Sequence, residues 1–324
     1  MRQLLAPQLN GPPRPVSGGG QPRPVMGGQP RPQWAERFER GNARAKRWAV
    51  RFALWMGRGA ARWLLFPVTL YFLAVSPHDR AVSRQYLRRA LGREPRLVDV
   101  FRHFHAFAST MLDRVYLLNG QYGDLDTTLH GENVVQGILR GGRGCLLLGA
   151  HFGSFEIVRF AGRERGVPPV SLVMYEDNAR ALREALDAIN PECAMQVIPL
   201  GRIDSMLEVE RALEAGGFVG LLADRAIQGE GMVACPFLGA PARFPTGPFR
   251  IAAMLGRPVV LMLGVYGGGR RYDVHFELIA DLTGVERAQR DRAVAEALRR
   301  YVARLEHHCR LAPYNWFNFY DYWA

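Results

Sequence analysis

The chain reads as an α/β fold, a mixed β-sheet flanked by helices, preceded by an N-terminal amphipathic helical region suited to a membrane interface. Three observations lead there. From Cys145 onward, short apolar runs alternate with stretches of helical periodicity, the pattern of strands and helices in turn. From Trp48, large apolar residues recur on a single helix face. With 324 residues, 48% of them hydrophobic and 22% charged, the chain can bury one sizeable core with appendages.

Residues 1–33 are rich in Pro, Gly, Gln and Arg and repeat Gly-Gln-Pro-Arg-Pro at 20–24 and 28–32. No core forms from such a composition, so 1–45 is expected to be a disordered basic leader, with Met26 as an alternative start. A cleavable signal is not expected, because the first apolar stretch comes late and lacks a small-residue cleavage context. The net charge of +12 is concentrated here: the first 63 residues hold twelve Arg and Lys against Glu36 and Glu39. Such asymmetry points to an anionic partner, with nucleic acid, anionic lipid head groups and an acidic carrier protein as the candidates.

Trp48, Phe52, Trp55, Gly59, Trp63, Phe66 and Leu70 fall within about 80° of one another at 100° per residue. Arg44, Arg47, Arg51, Arg58 and Arg62 flank that stripe. The arrangement predicts a helix lying in the membrane interface with its arginines snorkelling to phosphates. The apolar run Trp63–Val75 is about thirteen residues long and contains Pro67, short of the roughly 18–20 that a spanning helix needs. Helix continues over Ser83–Ala90 and Val98–Leu118, completing a helical membrane-associating region over 46–120. His103 and His105, two apart, point to different faces and do not make a shared metal site.

The remainder, 121–324, is expected to be the α/β domain. Strands are predicted at Cys145–Gly149, Pro169–Tyr175, Gln196–Leu200, Gly217–Leu222, Pro258–Val265 and Tyr272–Leu278, the last two joined by the Gly267-Gly268-Gly269 turn as a hairpin. Helices are predicted at Phe152–Arg165, Asn178–Ile189, Ile203–Glu214, Arg250–Leu255 and Glu286–Leu311.

The chemistry concentrates in Leu146-Leu147-Leu148-Gly149-Ala150-His151-Phe152-Gly153-Ser154-Phe155-Glu156. His151 falls at a strand's carboxyl end, where open α/β sheets place their ligand sites. On one continuous helix, five residues splay two side chains by roughly 140°. His151 and Glu156 therefore meet only if His151 precedes the helix and Glu156 reaches back from its first turns. The carboxylate then fixes the imidazole tautomer of a general base. The competing reading is a structural histidine and a surface glutamate.

Asp224-Arg225 ends a strand and opens a loop, either to meet a ligand or as an internal ion pair. Thr246 or Gly247 caps the helix at Arg250–Leu255, whose free N–H groups suit an oxyanion or phosphate, although capping alone explains Thr246. Ser154 lacks the Gly-x-Ser-x-Gly context of a hydrolase nucleophile and is expected to cap or back the helix. Cys145, Cys193, Cys235 and Cys309 have no paired spacing, and buried reduced thiols are expected. Seven aromatics between Pro313 and Trp323 close the core or line a lipid-facing groove.

The segment Gly149-Ala150-His151-Phe152-Gly153-Ser154-Phe155-Glu156, with its His-x-x-x-x-Glu spacing, resembles the active-site motif of the bacterial lipid A biosynthesis (late) acyltransferase family, within the lysophospholipid acyltransferase superfamily. Further landmarks agree in order: Leu222-Ala223-Asp224-Arg225, Pro236-Phe237-Leu238-Gly239, Phe244-Pro245-Thr246-Gly247-Pro248, and Trp316-Phe317-Asn318-Phe319-Tyr320-Asp321-Tyr322-Trp323. The likeness covers about residues 45–324. One departure is Asp224-Arg225, where lipid A enzymes carry a more acidic turn, so acyl transfer is better supported than lipid A as acceptor.

The resemblance implies a membrane-associated acyltransferase. It would move a fatty acyl chain from acyl carrier protein or coenzyme A, without a resident cofactor or metal, to a hydroxyl or amine of a lipid or glycolipid acceptor. His151 and Glu156 would be catalytic, and Asp224, Arg225, Thr246 and Gly247 substrate-binding. The expected partners are acyl carrier protein, the acceptor and an anionic membrane surface, with no nucleic acid, at the cytoplasmic face of a bacterial inner membrane. Two alternatives remain: a basic membrane- or nucleic-acid-binding protein without catalysis, and a His/Glu metallohydrolase, although His-Glu-x-x-His is absent.

Overall fold

A computed structural model describes residues 43–121, 123, 125–164, 170–175, 190, 196–200, 204–225 and 231–323. Three helices come first: α1 (Ala43–Val75), α2 (Pro77–Leu91) and α3 (Leu97–Leu118). The α/β part follows as β1 (Asp126–His130), α4 (Glu132–Gly141), β2 (Cys145–Gly149), α5 (Phe155–Glu164), β3 (Val170–Tyr175), β4 (Val197–Leu200), α6 (Ser205–Glu214), β5 (Phe218–Leu222), β6 (Met232–Phe237), β7 (Ala240–Pro245), α7 (Gly247–Leu255), β8 (Pro258–Gly268), β9 (Arg271–Asp281) and α8 (Arg290–Leu311). The expected leader 1–45 falls almost wholly outside the described residues, as do the expected helix Asn178–Ile189 and Cys193.

Seven strands form a mixed sheet in the order β1-β9-β8-β2-β5-β3-β4, parallel throughout except where β8 and β9 pair as an antiparallel hairpin. This is the expected architecture of a mixed sheet flanked by helices. All five residues of β2 are buried, as a strand covered on both faces requires. Its side chains alternate between two cores, Leu146 and Leu148 on one sheet face, Cys145 and Leu147 on the other. Helices α2 and α3 enter the first core through Tyr86, Leu87, Val100 and Phe104, so they share it with the sheet. Cys145, Cys235 and Cys309 are free and buried.

Sequence reasoning missed β1, α4 and the separate β6–β7 hairpin. The polar segment Asp126-Thr127-Thr128-Leu129-His130 pairs, among the described residues, only with β9, at the sheet's edge, and lacks an apolar run. The hairpin turns at Leu238-Gly239, where Leu238 takes a positive φ of 51°, with no Asn-Gly or Asp-Gly signal. The helix after the His151 motif begins at Phe155 rather than Phe152, because Phe152 and Gly153 bridge to Trp316 and Gly264.

Helix α1 carries the expected stripe on its outer side: Trp48, Trp55 and Trp63 are 71%, 80% and 76% exposed, with Phe52, Phe66 and Leu70 also open. Gly57 (φ 76°, ψ 155°) breaks its regularity. Among the described residues no single helix is long and apolar enough to cross a membrane, although 48–75 and 77–91, bent by 98°, pass together by length and composition. Two arginines expected to reach outward instead turn in. Arg58 makes a bidentate pair with buried Asp113 (Nε–Oδ1 2.8 Å, Nη2–Oδ2 2.9 Å) and donates to Gly269 O at 2.7 Å. Tyr272 also donates to Asp113 Oδ2, at 2.8 Å, and Arg62 donates to the Tyr266 hydroxyl. The outward reading failed because helical periodicity ranks residues by polarity and does not see a carboxylate waiting on α3.

This pair fastens α1 to α3, and the Gly269 and Tyr272 hydrogen bonds tie both to the β8–β9 hairpin. Removing one partner of a buried pair leaves an uncompensated charge, which costs about 3–5 kcal/mol. Asp113→Ala is therefore expected to lower the melting temperature markedly in thermal denaturation. An unchanged melting temperature would show that the pair holds nothing together.

Candidate active site

The site is built where two neighbouring parallel strands end. β2 and β5 pair with Gly149 opposite Leu222, and Ala223 N donates to Gly149 O at 3.0 Å. The residues that follow each strand, His151 and Asp224, thereby emerge side by side. His151 Nδ1 lies 2.9 Å from Asp224 Oδ1, and its backbone N–H donates to Asp224 Oδ2 at 3.0 Å. Trp316 Nε1 donates to the same Oδ2 at 3.0 Å. Three donors thus surround a carboxylate that is fully buried.

Electrostatics assigns the protonation states. Burial pushes the Asp224 pKa up, but the His151 ring and backbone N–H and the Arg225 guanidinium outweigh it and hold the carboxyl well below its usual range. An ionised Asp224 accepts from Nδ1–H, which leaves the Nε2 lone pair of a neutral His151 for an incoming proton. Burial, then the Arg225 charge, pull the His151 pKa below its ordinary value near 6.5, while Asp224 acts in the opposite direction. The imidazole is one-third exposed, and among the described residues none hydrogen-bonds Nε2.

Glu156 is not the partner of His151. It sits in the first turn of α5, as the spacing argument required, but its side chain turns to Arg114 on α3 (Oε1–Nε 2.7 Å) and to the Ser154 hydroxyl. The expected His151–Glu156 pairing is thus replaced by His151–Asp224. Ser154 caps α5, its Oγ accepting from Ile157 N at 3.4 Å.

Close backbone contact fixes the loop between His151 and α5. Gly153 has φ 59°, and a Cβ there would lie 1.9 Å from Gly264 O, so only glycine fits. Gly153 N donates to Asn315 O at 2.8 Å, and Phe317 N donates to His151 O at 2.8 Å. The aromatic tail therefore seals the core and is also part of the site. His103, which its spacing from His105 excludes from a shared metal site, anchors that tail: its Nε2 lies 2.9 Å from Trp316 O and its Nδ1 2.8 Å from Ser83 Oγ. Burial lowers its pKa to about 4, so it is neutral and structural.

Arg225 donates to Phe317 O at 2.7 Å and lies over the Tyr320 ring at 4.9 Å, beside His151. Thr246 and Gly247 are not brought to this point by any hydrogen bond among the described residues. Thr246 does occupy the N-cap position of α7, but its hydroxyl donates to Gly231 O at 3.1 Å instead of capping the helix.

The model of the bacterial lipid A biosynthesis acyltransferases matches residues 96–324. The chain belongs to this family. It is an acyltransferase of the lipid A biosynthesis type, and the match spans His151, Glu156, Asp224, Arg225 and the aromatic tail. No individual curated protein matches the chain significantly.

The geometry separates two carboxylates. Asp224→Asn is expected to slow acyl transfer on the order of 10²–10⁴-fold, because an amide in that place favours the wrong tautomer. Glu156→Gln is expected to cost activity at least about tenfold less than that, and to show mainly as a lower melting temperature, because Arg114 loses its anion. Steady-state rates set beside thermal melts of the two variants decide; the reverse order of rate losses would return Glu156 to the role of orienting group.

Proposed function

We propose that this acyltransferase moves a fatty acyl chain from acyl carrier protein or coenzyme A to a hydroxyl or amine of a lipid or glycolipid acceptor, at the cytoplasmic face of a bacterial inner membrane. The observation that carries the chemistry is the Asp224-held imidazole of His151, neutral and partly open at the strand ends. Nε2 takes the proton of the acceptor O–H or N–H as that atom attacks the thioester carbonyl. The tetrahedral intermediate then expels the thiolate, which receives the same proton from the imidazolium, so no covalent enzyme intermediate forms. Asp224 stabilises the imidazolium between those two steps.

Arg225 supplies the cation beside this base. It either meets the oxyanion of the intermediate or binds a phosphate of the donor's phosphopantetheine or of the acceptor. Acidic carriers and anionic lipids both suit the basic N-terminal balance of the chain. The exposed tryptophans of α1 support attachment as a peripheral or monotopic protein, with the indole rings at head-group depth. Arg58 ties the helix to α3 through Asp113 and to the β8–β9 turn through Gly269 O, so whatever surface the helix binds lies at a fixed place relative to His151.

Three outcomes are expected. His151→Ala folds normally but loses about 10²–10⁴-fold in rate with a defined thioester donor and lipid acceptor. Retention of more than about a tenth of the wild-type rate excludes a general base at this position. In kcat/KM against pH, the wild-type acid limb lies below 6.5, because the base must be neutral and its pKa is lowered. Arg225→Gln removes a repelling charge, raises the His151 pKa and moves that limb to higher pH; a shift the other way contradicts the electrostatic assignment. Finally, replacing Trp55 and Trp63 by Ser weakens flotation with anionic phospholipid vesicles, and equal flotation would dissociate α1 from the membrane.

A further inference from the structure

Four of the eight histidines of the chain, His130, His275, His307 and His308, gather outside the catalytic pair, on β1, β9 and α8. The His130 and His275 rings stack at 4.5 Å, His275 meets His308 at 4.8 Å, and His307 meets His308 at 5.5 Å. Glu277 lies among them, accepting from or facing His308 Nε2 at 2.7 Å through Oε1. His275 and Glu277 are i, i+2 on β9, so the pleat turns both side chains to one face, toward α8.

We propose that His275, Glu277 and His308 bind one divalent ion of the zinc class, which clamps the closing helix α8 onto β9. One ligand atom from each residue lies within 4.8 Å of the other two. Tetrahedral zinc with bonds of 2.0–2.2 Å sets its ligand atoms about 3.4 Å apart, so side-chain rotation of about an ångström closes the site. Two imidazoles and one carboxylate are a donor set suited to zinc, with the fourth position left for water. His275 and Glu277 are half-buried, so an ion has a path in, whereas His308 is 4% exposed and held in place by packing.

Arg304 donates to both oxygens of Glu277 and orients that carboxylate; His130, stacked on His275, is itself held by Asp273 at 3.1 Å. Such outer partners are what position ligands in metal sites. The clamp would bear on the catalytic end of the molecule, since α8 carries Tyr301, whose hydroxyl donates to Gly149 O at 2.8 Å.

The test uses the tag-free full chain in detergent, stripped with a chelator and titrated with Zn²⁺ by calorimetry and thermal melting. We expect one ion per chain with Kd below about 10 µM, and a melting temperature raised by at least about 3 °C at saturation. His275→Ala and Glu277→Gln are each expected to weaken binding at least about tenfold. No saturable binding by the wild type, or equal binding by both variants, overturns the proposal and leaves the cluster an ion-pair network. Should His275→Ala fail to fold, Glu277→Gln and the visible spectrum of Co²⁺ in the wild type still decide, intense four-coordinate bands supporting the site and weak octahedral bands alone overturning it.

Discussion

The structure depends most on one buried anion. Asp224 has no access to water, and leaving a carboxylate unpaired in such a place costs several kcal/mol. Its compensation comes from three directions: the His151 ring, the His151 backbone N–H and the Trp316 indole. Tyr322 adds a hydrogen bond to the Asp224 carbonyl at 2.6 Å. Each donor belongs to a different stretch of chain from Asp224 itself, so satisfying the charge pulls the β2 end, the β5 end and the C-terminal tail to one point. The catalytic geometry and the closure of the core are thus consequences of the same electrostatic requirement.

Backbone register makes that convergence feasible. Parallel pairing of Gly149 with Leu222 sets both strand ends level, and the Gly153–Gly264 approach lets the loop after His151 cross β8 at a distance no side chain would allow. The tail is tied in turn by Asn315, whose amide receives Tyr266 N at 2.7 Å and donates to Tyr266 O at 3.1 Å. His103 completes the tie from α3. A neutral histidine between a serine and a carbonyl satisfies both ring nitrogens in an apolar setting, which explains a buried imidazole that takes no part in chemistry.

The contrast between His151 and Glu156 shows what periodicity can and cannot reveal. An apolar run ending in Gly-Ala-His marks a strand terminus, and that placed His151 correctly. The partner was not legible, because which strands are neighbours is a non-local property: β2 lies between β8 and β5, and the intervening β3 and β4 give no local sign of it. Leu221-Leu222-Ala223-Asp224 did carry a signal, a polar residue closing a second apolar run just as His151 closes the first. Of the elements missed, β1 is a polar edge strand and β6–β7 has an unusual turn, while α4 is a short helix between β1 and β2. The inward turn of Arg58 was likewise invisible, since its partner Asp113 stands 55 positions away.

Orientation of the base by Asp224 is the central claim, and a double-mutant cycle on acyl transfer tests it most directly. The account predicts that, in natively folded protein, His151→Ala with the isosteric Asp224→Asn is no slower than His151→Ala alone, because the carboxylate's part in the chemistry is played through the imidazole. Rate losses that multiply in the double variant would contradict it and give the two residues independent roles.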